Sequence, residues 1–113
     1  MEKYALDNGS CSLHFYAFLP ALQLLASEEQ KAYWLPKANN FEISGAYVQT
    51  ELGHGSDVGS LETTATYDAA TKEFVVHTPC RSATKFWPGG LGKTANTIVL
   101  YARLISNGRD HGV

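Results

Sequence analysis

The sequence has no hydrophobic run long enough to cross a membrane as a helix. The longest apolar stretch, residues 15–26, contains Pro20 and Gln23, whereas a bilayer requires about 20 apolar residues. Basic residues are also few, since nine Lys and Arg stand against eleven Asp and Glu and the net charge is −2. The concentrated positive charge of a nucleic-acid-binding protein is missing. Neither a membrane span nor a nucleic-acid partner is therefore predicted.

Cysteine is scarce as well, with Cys11 and Cys80 as the only two. Their separation matches no metal-binding or redox motif, so two reduced thiols are favoured over a disulfide. The histidines also lack the spacing that gathers a metal ion, and they stand at positions 14, 54, 77 and 111. No metal site is predicted.

Helical periodicity is present near the start of the chain. Phe15, Leu19, Leu22 and Leu25 recur at spacings of three and four, which indicates a helix with one buried stripe over residues 12–26. Pro20 either kinks this helix or marks a start.

A second helix is predicted from a capping box. In Ser27-Glu28-Glu29-Gln30, the side chains of Ser27 and Gln30 can each accept the other's backbone N–H. The helix should begin at Glu28 and end near Leu35, because Pro36 disfavours helical backbone in the residue before it.

After Asn40 the pattern changes to that of strands. We predict strands at Phe41–Gln49, Leu61–Tyr67, Glu73–His77 and Thr97–Ile105, with a hairpin connection at residues 68–72 and a turn at Asn107-Gly108. Helices followed by strands indicate an α+β fold. Two helices and a short sheet cannot bury the apolar stripe, so we expect the chain to be part of a longer protein. The domain boundary is predicted near Asn40, between residues 1–40 and 41–113.

The most unusual segment is Lys85-Phe86-Trp87-Pro88-Gly89-Gly90-Leu91-Gly92-Lys93-Thr94. Its end is similar to a phosphate-binding loop, but that motif requires glycine where this chain has Trp87, and a helix where this chain has a strand pattern. Glycines permit close approach to a ligand and a Phe-Trp pair offers a large apolar surface. The segment is therefore interpreted as one wall of a binding site.

A second glycine-rich segment, Gln49 to Gly59, only partly matches the dinucleotide-binding fingerprint, and no helical pattern follows it. It can present backbone amides and the Thr50 and Ser56 hydroxyls to a polar ligand, or it can be a plain connector. His54, Ser56 and Asp57 lie too close in sequence for a catalytic triad. The acidic side chains nearby, Glu51 and Glu62, are interpreted as solvated or capping carboxylates.

Two motifs together carry a family resemblance. The residues from Tyr47 to Asp68 resemble the flavin-binding strand and loop of the acyl-CoA dehydrogenase and oxidase superfamily. The segment from Lys85 to Thr94 is similar to the one by which peroxisomal acyl-CoA oxidases differ from the dehydrogenases. The resemblance covers nearly the whole chain from Leu13 onward.

The resemblance implies the roles of individual residues. Gln49 and Thr50 are expected at the isoalloxazine ring of FAD, Gly55 and Ser56 near the cofactor, and Ser56 also at the thioester end of the acyl-CoA. Trp87 is expected to pack near the ring and Gly89 to offer its amide. Pro88 stands where dehydrogenases have a threonine, which is compatible with access of oxygen to the ring.

The resemblance also implies a fold, a reaction and partners. The fold would be the C-terminal helices of an α-helical domain followed by most of a mainly antiparallel, barrel-like β-domain. The reaction would convert a fatty acyl-CoA to trans-2-enoyl-CoA and reduce molecular oxygen to hydrogen peroxide, in peroxisomal fatty acid β-oxidation by a homodimer of the full-length protein. The catalytic glutamate would lie in a later helical domain, so we expect the fragment alone to be inactive. An acyl-CoA dehydrogenase and a non-catalytic β-domain remain as alternatives.

Overall fold

The computed structural model describes residues 11–113, so the first ten residues of the predicted helical domain lie outside the described range. Three helical segments come first: a π-helical turn at His14–Phe18, α1 at Leu19–Leu25 and α2 at Glu28–Asn39. Six strands follow: β1 Gly45–Val48, β2 Thr64–Asp68, β3 Glu73–His77, β4 Thr97–Leu100, β5 Arg103–Ser106 and β6 Arg109–Asp110. The predicted α+β class is confirmed.

The chain divides into two compact units. One comprises the described residues up to Val48 together with Pro88–Val99, and the other comprises Gln49–Trp87 and Leu100–Val113. The first unit holds the helices and the two-stranded sheet β1-β4, and the second holds a four-stranded sheet in the order β3-β2-β5-β6. The predicted domain boundary near Asn40 stays a prediction.

The core of the first unit forms around the helices. Phe18, Leu19 and Ala38 are buried together, and three residues of the predicted apolar stripe, Phe15, Leu19 and Leu22, belong to this cluster or pack on it. The stripe was wrong at its end, because Leu25 is 67% exposed. The wider π-helical turn shifts the helical phase and brings Phe18 inward.

Two buried contacts fix the helices against β1. His14 donates from Nε2 to the Ala38 carbonyl at 3.1 Å and accepts at Nδ1 from the Gly45 amide at 2.9 Å, so both ring nitrogens are satisfied in the neutral Nε2–H tautomer. Gly45 also lies against the Phe18 ring, where an added Cβ would be 2.0 Å from ring carbon. Only glycine fits at this position.

The start of α2 is confirmed, and its predicted end was wrong. Ser27 and Gln30 form the capping box, but the helix runs through Pro36 to Asn39. Pro36 removes one backbone N–H donor near the last turn. The hydrogen bond from His14 to the Ala38 carbonyl anchors this turn and keeps it helical.

Phe41 closes α2 instead of beginning a strand, which corrects the predicted start of β1. Its φ of 57° is left-handed, and the Glu42 amide donates to the Lys37 carbonyl at 2.9 Å, as in a Schellman cap. Stacking of the Phe41 ring on His14, with centroids 5.0 Å apart, offsets the backbone strain.

The second unit contains the two predicted turns. The β2–β3 hairpin pairs Asp68 with Glu73, and the Asp68 carboxylate accepts the Ala70 amide at 2.9 Å. Asn107 and Gly108, with φ of 51° and 71°, connect β5 to β6, as expected for this dipeptide in a hairpin. Both turn predictions and strand β3 are confirmed.

The predicted long strand Thr97–Ile105 was wrong, because the chain leaves it at Tyr101-Ala102. β4 pairs with β1, whereas β5 pairs in parallel with β2. The predicted barrel-like closure is not supported either. Among residues 11–113, the end strands β3 and β6 of the larger sheet each pair with one neighbour only, so this sheet stays open.

Candidate functional site

The structure brings the glycine-rich loop beside the Lys85–Trp87 segment, although residues 60–84 lie between them in sequence. The two run antiparallel, with an isolated bridge between Glu51 and Lys85. The Phe86 amide donates to the Thr50 carbonyl at 3.0 Å. Two further backbone bonds continue this pairing, Leu52 to Thr84 and Gly53 to Ser82, both at 2.9 Å. Within the second unit, the glycine-rich loop and the Lys85–Trp87 segment therefore form one surface.

A buried carboxylate holds this pairing in place. Glu51 is 1% exposed and accepts the amides of Glu62 and Thr63 at 2.8 and 3.0 Å. The Lys85 ammonium lies 3.0 Å from Glu51 Oε1, the oxygen that also accepts the Thr63 amide. Burial raises the pKa of Glu51, but hydrogen bonds from Thr63, Glu62 and Lys85 outweigh it and lower the pKa from 4.5 to about 2. Glu51 is thus an ionised anchor, which its sequence context did not reveal.

Lys85 fastens the start of the loop. Besides its ion pair with Glu51, Nζ donates to the Gln49 carbonyl at 2.9 Å and to the Tyr101 carbonyl at 2.7 Å. These three acceptors use all three ammonium donors. Lys85 therefore fixes the backbone of Gln49, a predicted cofactor residue, while leaving no donor for a ligand.

Arg103 fastens the end of the loop. Its Nη1 donates to the carbonyls of Gly59 and Leu61 at 2.7 and 3.1 Å, and its Nε donates to Asp110 at 2.8 Å. Hydrogen bonds from Gly112 and Arg103 lower the pKa of Asp110. Two cations distant in sequence thus hold the two ends of the loop, a role that no local sequence signal indicates.

Between these anchors, the loop presents unused polar groups. Among the described residues, the side chains of Gln49, Thr50 and Ser56 form no hydrogen bond to one another or to other described groups. Gly55 faces open space, because a Cβ added there would have no atom within 4 Å. Since the fold does not itself require glycine at position 55, its freedom suits close approach of a ligand to the backbone.

The aromatic pair at the end of this surface is exposed. Trp87 is 78% exposed and stacks on Phe86, with ring centroids 6.3 Å apart and planes 12° from parallel. Trp87 also has a left-handed φ of 57°, which is strained for a bulky residue. An exposed, strained tryptophan is a feature of binding surfaces, and its flat ring suits a planar ligand.

Gly89, the remaining predicted cofactor residue, belongs to the first unit. A Cβ added to it would meet the end of the Leu13 side chain at 2.8 Å. The residue is exposed, and its amide donates no backbone hydrogen bond in the part of the chain that the structure describes.

The phosphate-binding loop and the catalytic triad considered from the sequence do not have the required geometry in the described residues. The segment after Thr94 leads into strand β4 and not into the helix of a phosphate-binding loop, as predicted. Asp57 accepts from Ser60 at 2.6 Å and does not orient His54. Within residues 11–113, no group of three His, Cys, Asp or Glu side chains could hold a metal, no helix is long and apolar enough to span a membrane, and Cys11 and Cys80 are free thiols.

Comparison with known proteins identifies relatives of this fold. The family described as acyl-coenzyme A oxidase N-terminal matches residues 1–44. The chain is 56% identical over 101 residues to peroxisomal acyl-coenzyme A oxidase 1 of Arabidopsis thaliana, covering 89% of this chain and 15% of that protein. It is 53% identical over 96 residues to peroxisomal acyl-coenzyme A oxidase 2 of Oryctolagus cuniculus, covering 85% and 14%.

A solved structure agrees with these relatives. Acyl-CoA oxidase-1 of Caenorhabditis elegans, crystallised with FAD and ATP, superposes with a TM-score of 0.92 at 47% identity, over 98% of this chain and 18% of that one. The chain therefore spans about one seventh of the length of the curated relatives it matches. By sequence and by fold, the chain is similar to one segment of the acyl-CoA oxidases.

Proposed function

We propose that this chain forms one wall of the FAD and acyl-CoA site in a longer acyl-CoA oxidase. That protein would convert a fatty acyl-CoA to trans-2-enoyl-CoA and reduce molecular oxygen to hydrogen peroxide, as a homodimer in the peroxisome. The observation that carries the proposal is the hydrogen bond between the Phe86 amide and the Thr50 carbonyl. It joins a loop with unused polar groups to an exposed aromatic pair.

The residues present fit FAD. A planar aromatic cofactor needs an apolar face and polar groups at its edge. The Lys85–Trp87 segment offers Trp87 for the first, and the loop offers Gln49 and Thr50 for the second. Gly55 and Ser56 would hold the more polar part of the cofactor, with Ser56 also contacting the acyl-CoA. Gly89 would offer its amide to the cofactor. When bound, FAD supplies the acceptor for the two electrons removed from the acyl chain.

The task of this chain's own residues is orientation. Lys85 and Arg103 bind the backbone carbonyls of Gln49 and Gly59, so the loop backbone is held at both ends before a ligand arrives. A loop fixed in this way loses little freedom when a ligand binds. Pro88, in place of a hydroxyl, would be compatible with access of oxygen to the ring.

The proton acceptor of the reaction would come from elsewhere in the longer protein. Glu51 is the best-placed carboxylate of this surface, but with a pKa of about 2 and both oxygens already bonded it is too weak a base to remove a proton from carbon. The helical domain up to about Asn40 and the β-domain after it would then form the part of the protein that precedes this base.

The test is an assay of the full-length polypeptide with FAD, a fatty acyl-CoA and oxygen. We expect trans-2-enoyl-CoA and hydrogen peroxide to appear in equal amounts, with no carrier protein required. Formation of enoyl-CoA only when an electron-carrier flavoprotein is added, without peroxide, would contradict the proposal and favour a dehydrogenase.

A further inference from the structure

His54 is a buried side chain for which the fold itself provides no hydrogen bond. Its amide donates to the Glu51 carbonyl at 3.3 Å, and this tight turn folds the imidazole back beside the Glu51 carboxylate. The imidazole is only 9% exposed. Within the described part of the chain, neither Nδ1 nor Nε2 has a hydrogen-bond partner. A buried polar group without a partner is unfavourable and calls for a functional explanation.

The Glu51 carboxylate is an acceptor that lies slightly beyond hydrogen-bonding distance from the His54 imidazole. His54 Nε2 lies 3.5 Å from Glu51 Oε2, whereas an N–H···O hydrogen bond is about 2.7–3.2 Å long. A movement of a few tenths of an ångström would therefore complete this bond. Glu51 cannot supply the movement, because both of its oxygens are fixed by the amides of Glu62 and Thr63.

The turn that carries His54 can supply it. On its outer side, Gly55 faces open space, and Ser56 is exposed. On its inner side, Gly53 packs closely on Ser82, where an added Cβ would be 2.9 Å from the Ser82 Cβ. A ligand that contacts the outer side would therefore move the turn toward Glu51, while Gly53 stays fixed against Ser82.

We infer that His54 is a positioning residue, whose Nε2 donates to Glu51 when FAD contacts the Gly53–Asp57 turn. This inference rests on the proposed function, since it takes FAD as the ligand of the turn. The new bond would lock Gly55 and Ser56 in the arrangement that contacts the cofactor. His54 itself touches neither the cofactor nor the substrate.

The test compares two substitutions in the full-length, deflavinated protein. His54→Gln keeps an N–H donor near the position of Nε2, whereas His54→Leu keeps the volume and removes the donor. We expect His54→Leu to weaken FAD binding about tenfold or more, because a hydrogen bond to a charged group is lost. His54→Gln should stay within about threefold of the wild type. Isothermal titration calorimetry measures both.

Thermal unfolding of the same deflavinated proteins separates positioning from a merely structural role. His54→Leu should have an unchanged or higher Tm, because it removes two unpaired buried nitrogens. The control is His77→Gln, on the exposed strand β3, which should change neither quantity.

Each result has a distinct meaning. Wild-type affinity in His54→Leu, or a lowered Tm with unchanged affinity, would overturn the inference and leave the proposed function standing. Equal weakening in His54→Gln and His54→Leu would overturn it as well, because the donor would then be irrelevant. A wild-type protein that fails to bind FAD would overturn the proposed function and the inference together.

Discussion

Glu51 links ionisation to folding in the second unit. Its carboxylate is buried, and its partners are two backbone amides and the Lys85 ammonium. The pKa of Glu51 is about 2 in the folded protein, against an ordinary value of 4.5. The charged form therefore stabilises the folded state above pH 4.5, and this stabilisation disappears as the pH falls toward 2.

We predict from this shift that acid destabilises the protein through Glu51. The difference in pKa corresponds to roughly 3 kcal/mol of unfolding free energy, lost between about pH 4.5 and 2. Glu51→Gln should lose a similar amount already at neutral pH, because Lys85 is left without its charged partner. Urea denaturation between pH 7 and about 2 measures both effects.

The control for this prediction is Glu28→Gln. The Glu28 side chain is 92% exposed in its pair with Lys31, and exposed ion pairs contribute little. Its unfolding free energy should follow that of the wild type at every pH. A Glu51→Gln variant as stable as the wild type at pH 7 would show that the buried pair does not hold the loop.

Helix α2 begins at a capping box formed by Ser27 and Gln30. Ser27 accepts the Gln30 amide at 3.2 Å, and Gln30 accepts the Ser27 amide at 2.9 Å. We predict that Ser27→Ala destabilises the protein by about 1 kcal/mol, whereas Ser27→Asp, another good cap, is nearly neutral. Chemical denaturation checks the pair. Equal stability of Ser27→Ala and Ser27→Asp would mean that the cap contributes nothing.

Elements that depend on neighbouring residues could be predicted from the sequence. The capping box at Ser27, the hairpin at Asp68 and the Asn107-Gly108 turn all act over a few residues, and each was predicted correctly. The end of α2 was missed, because Pro36 is tolerated where the buried His14 binds the Ala38 carbonyl. That contact joins residues far apart in sequence.

The same distinction applies to the candidate site. The glycine-rich loop and Trp87 have an unusual composition and could be recognised, but their partners could not. Lys85 contacts Gln49 and Tyr101 across 36 and 16 residues, and Arg103 reaches back to Gly59 across 44. Pairing over such distances leaves no periodic pattern in a single sequence, so the anchors of the loop appear only in the folded chain.

For the chain as a whole, we expect the active site to be incomplete. In the proposed function the described surface only binds and orients FAD, and its buried carboxylate is too weakly basic to remove a proton from carbon. We predict that the 113-residue chain, mixed with FAD and a fatty acyl-CoA, releases no hydrogen peroxide above the level of FAD alone. A peroxide assay tests this, with the full-length protein as the positive control. Peroxide release that depends on the acyl-CoA would contradict the prediction.

The central claim is that Trp87 and the adjoining loop form the wall against which FAD packs. Its most direct test is the Kd of FAD for the deflavinated full-length protein and its Trp87→Leu variant, with Trp34→Leu in α2 as the control. Loss of the aromatic face should weaken FAD binding about five- to tenfold in Trp87→Leu, while Trp34→Leu binds as the wild type does. Wild-type affinity in Trp87→Leu would contradict the claim.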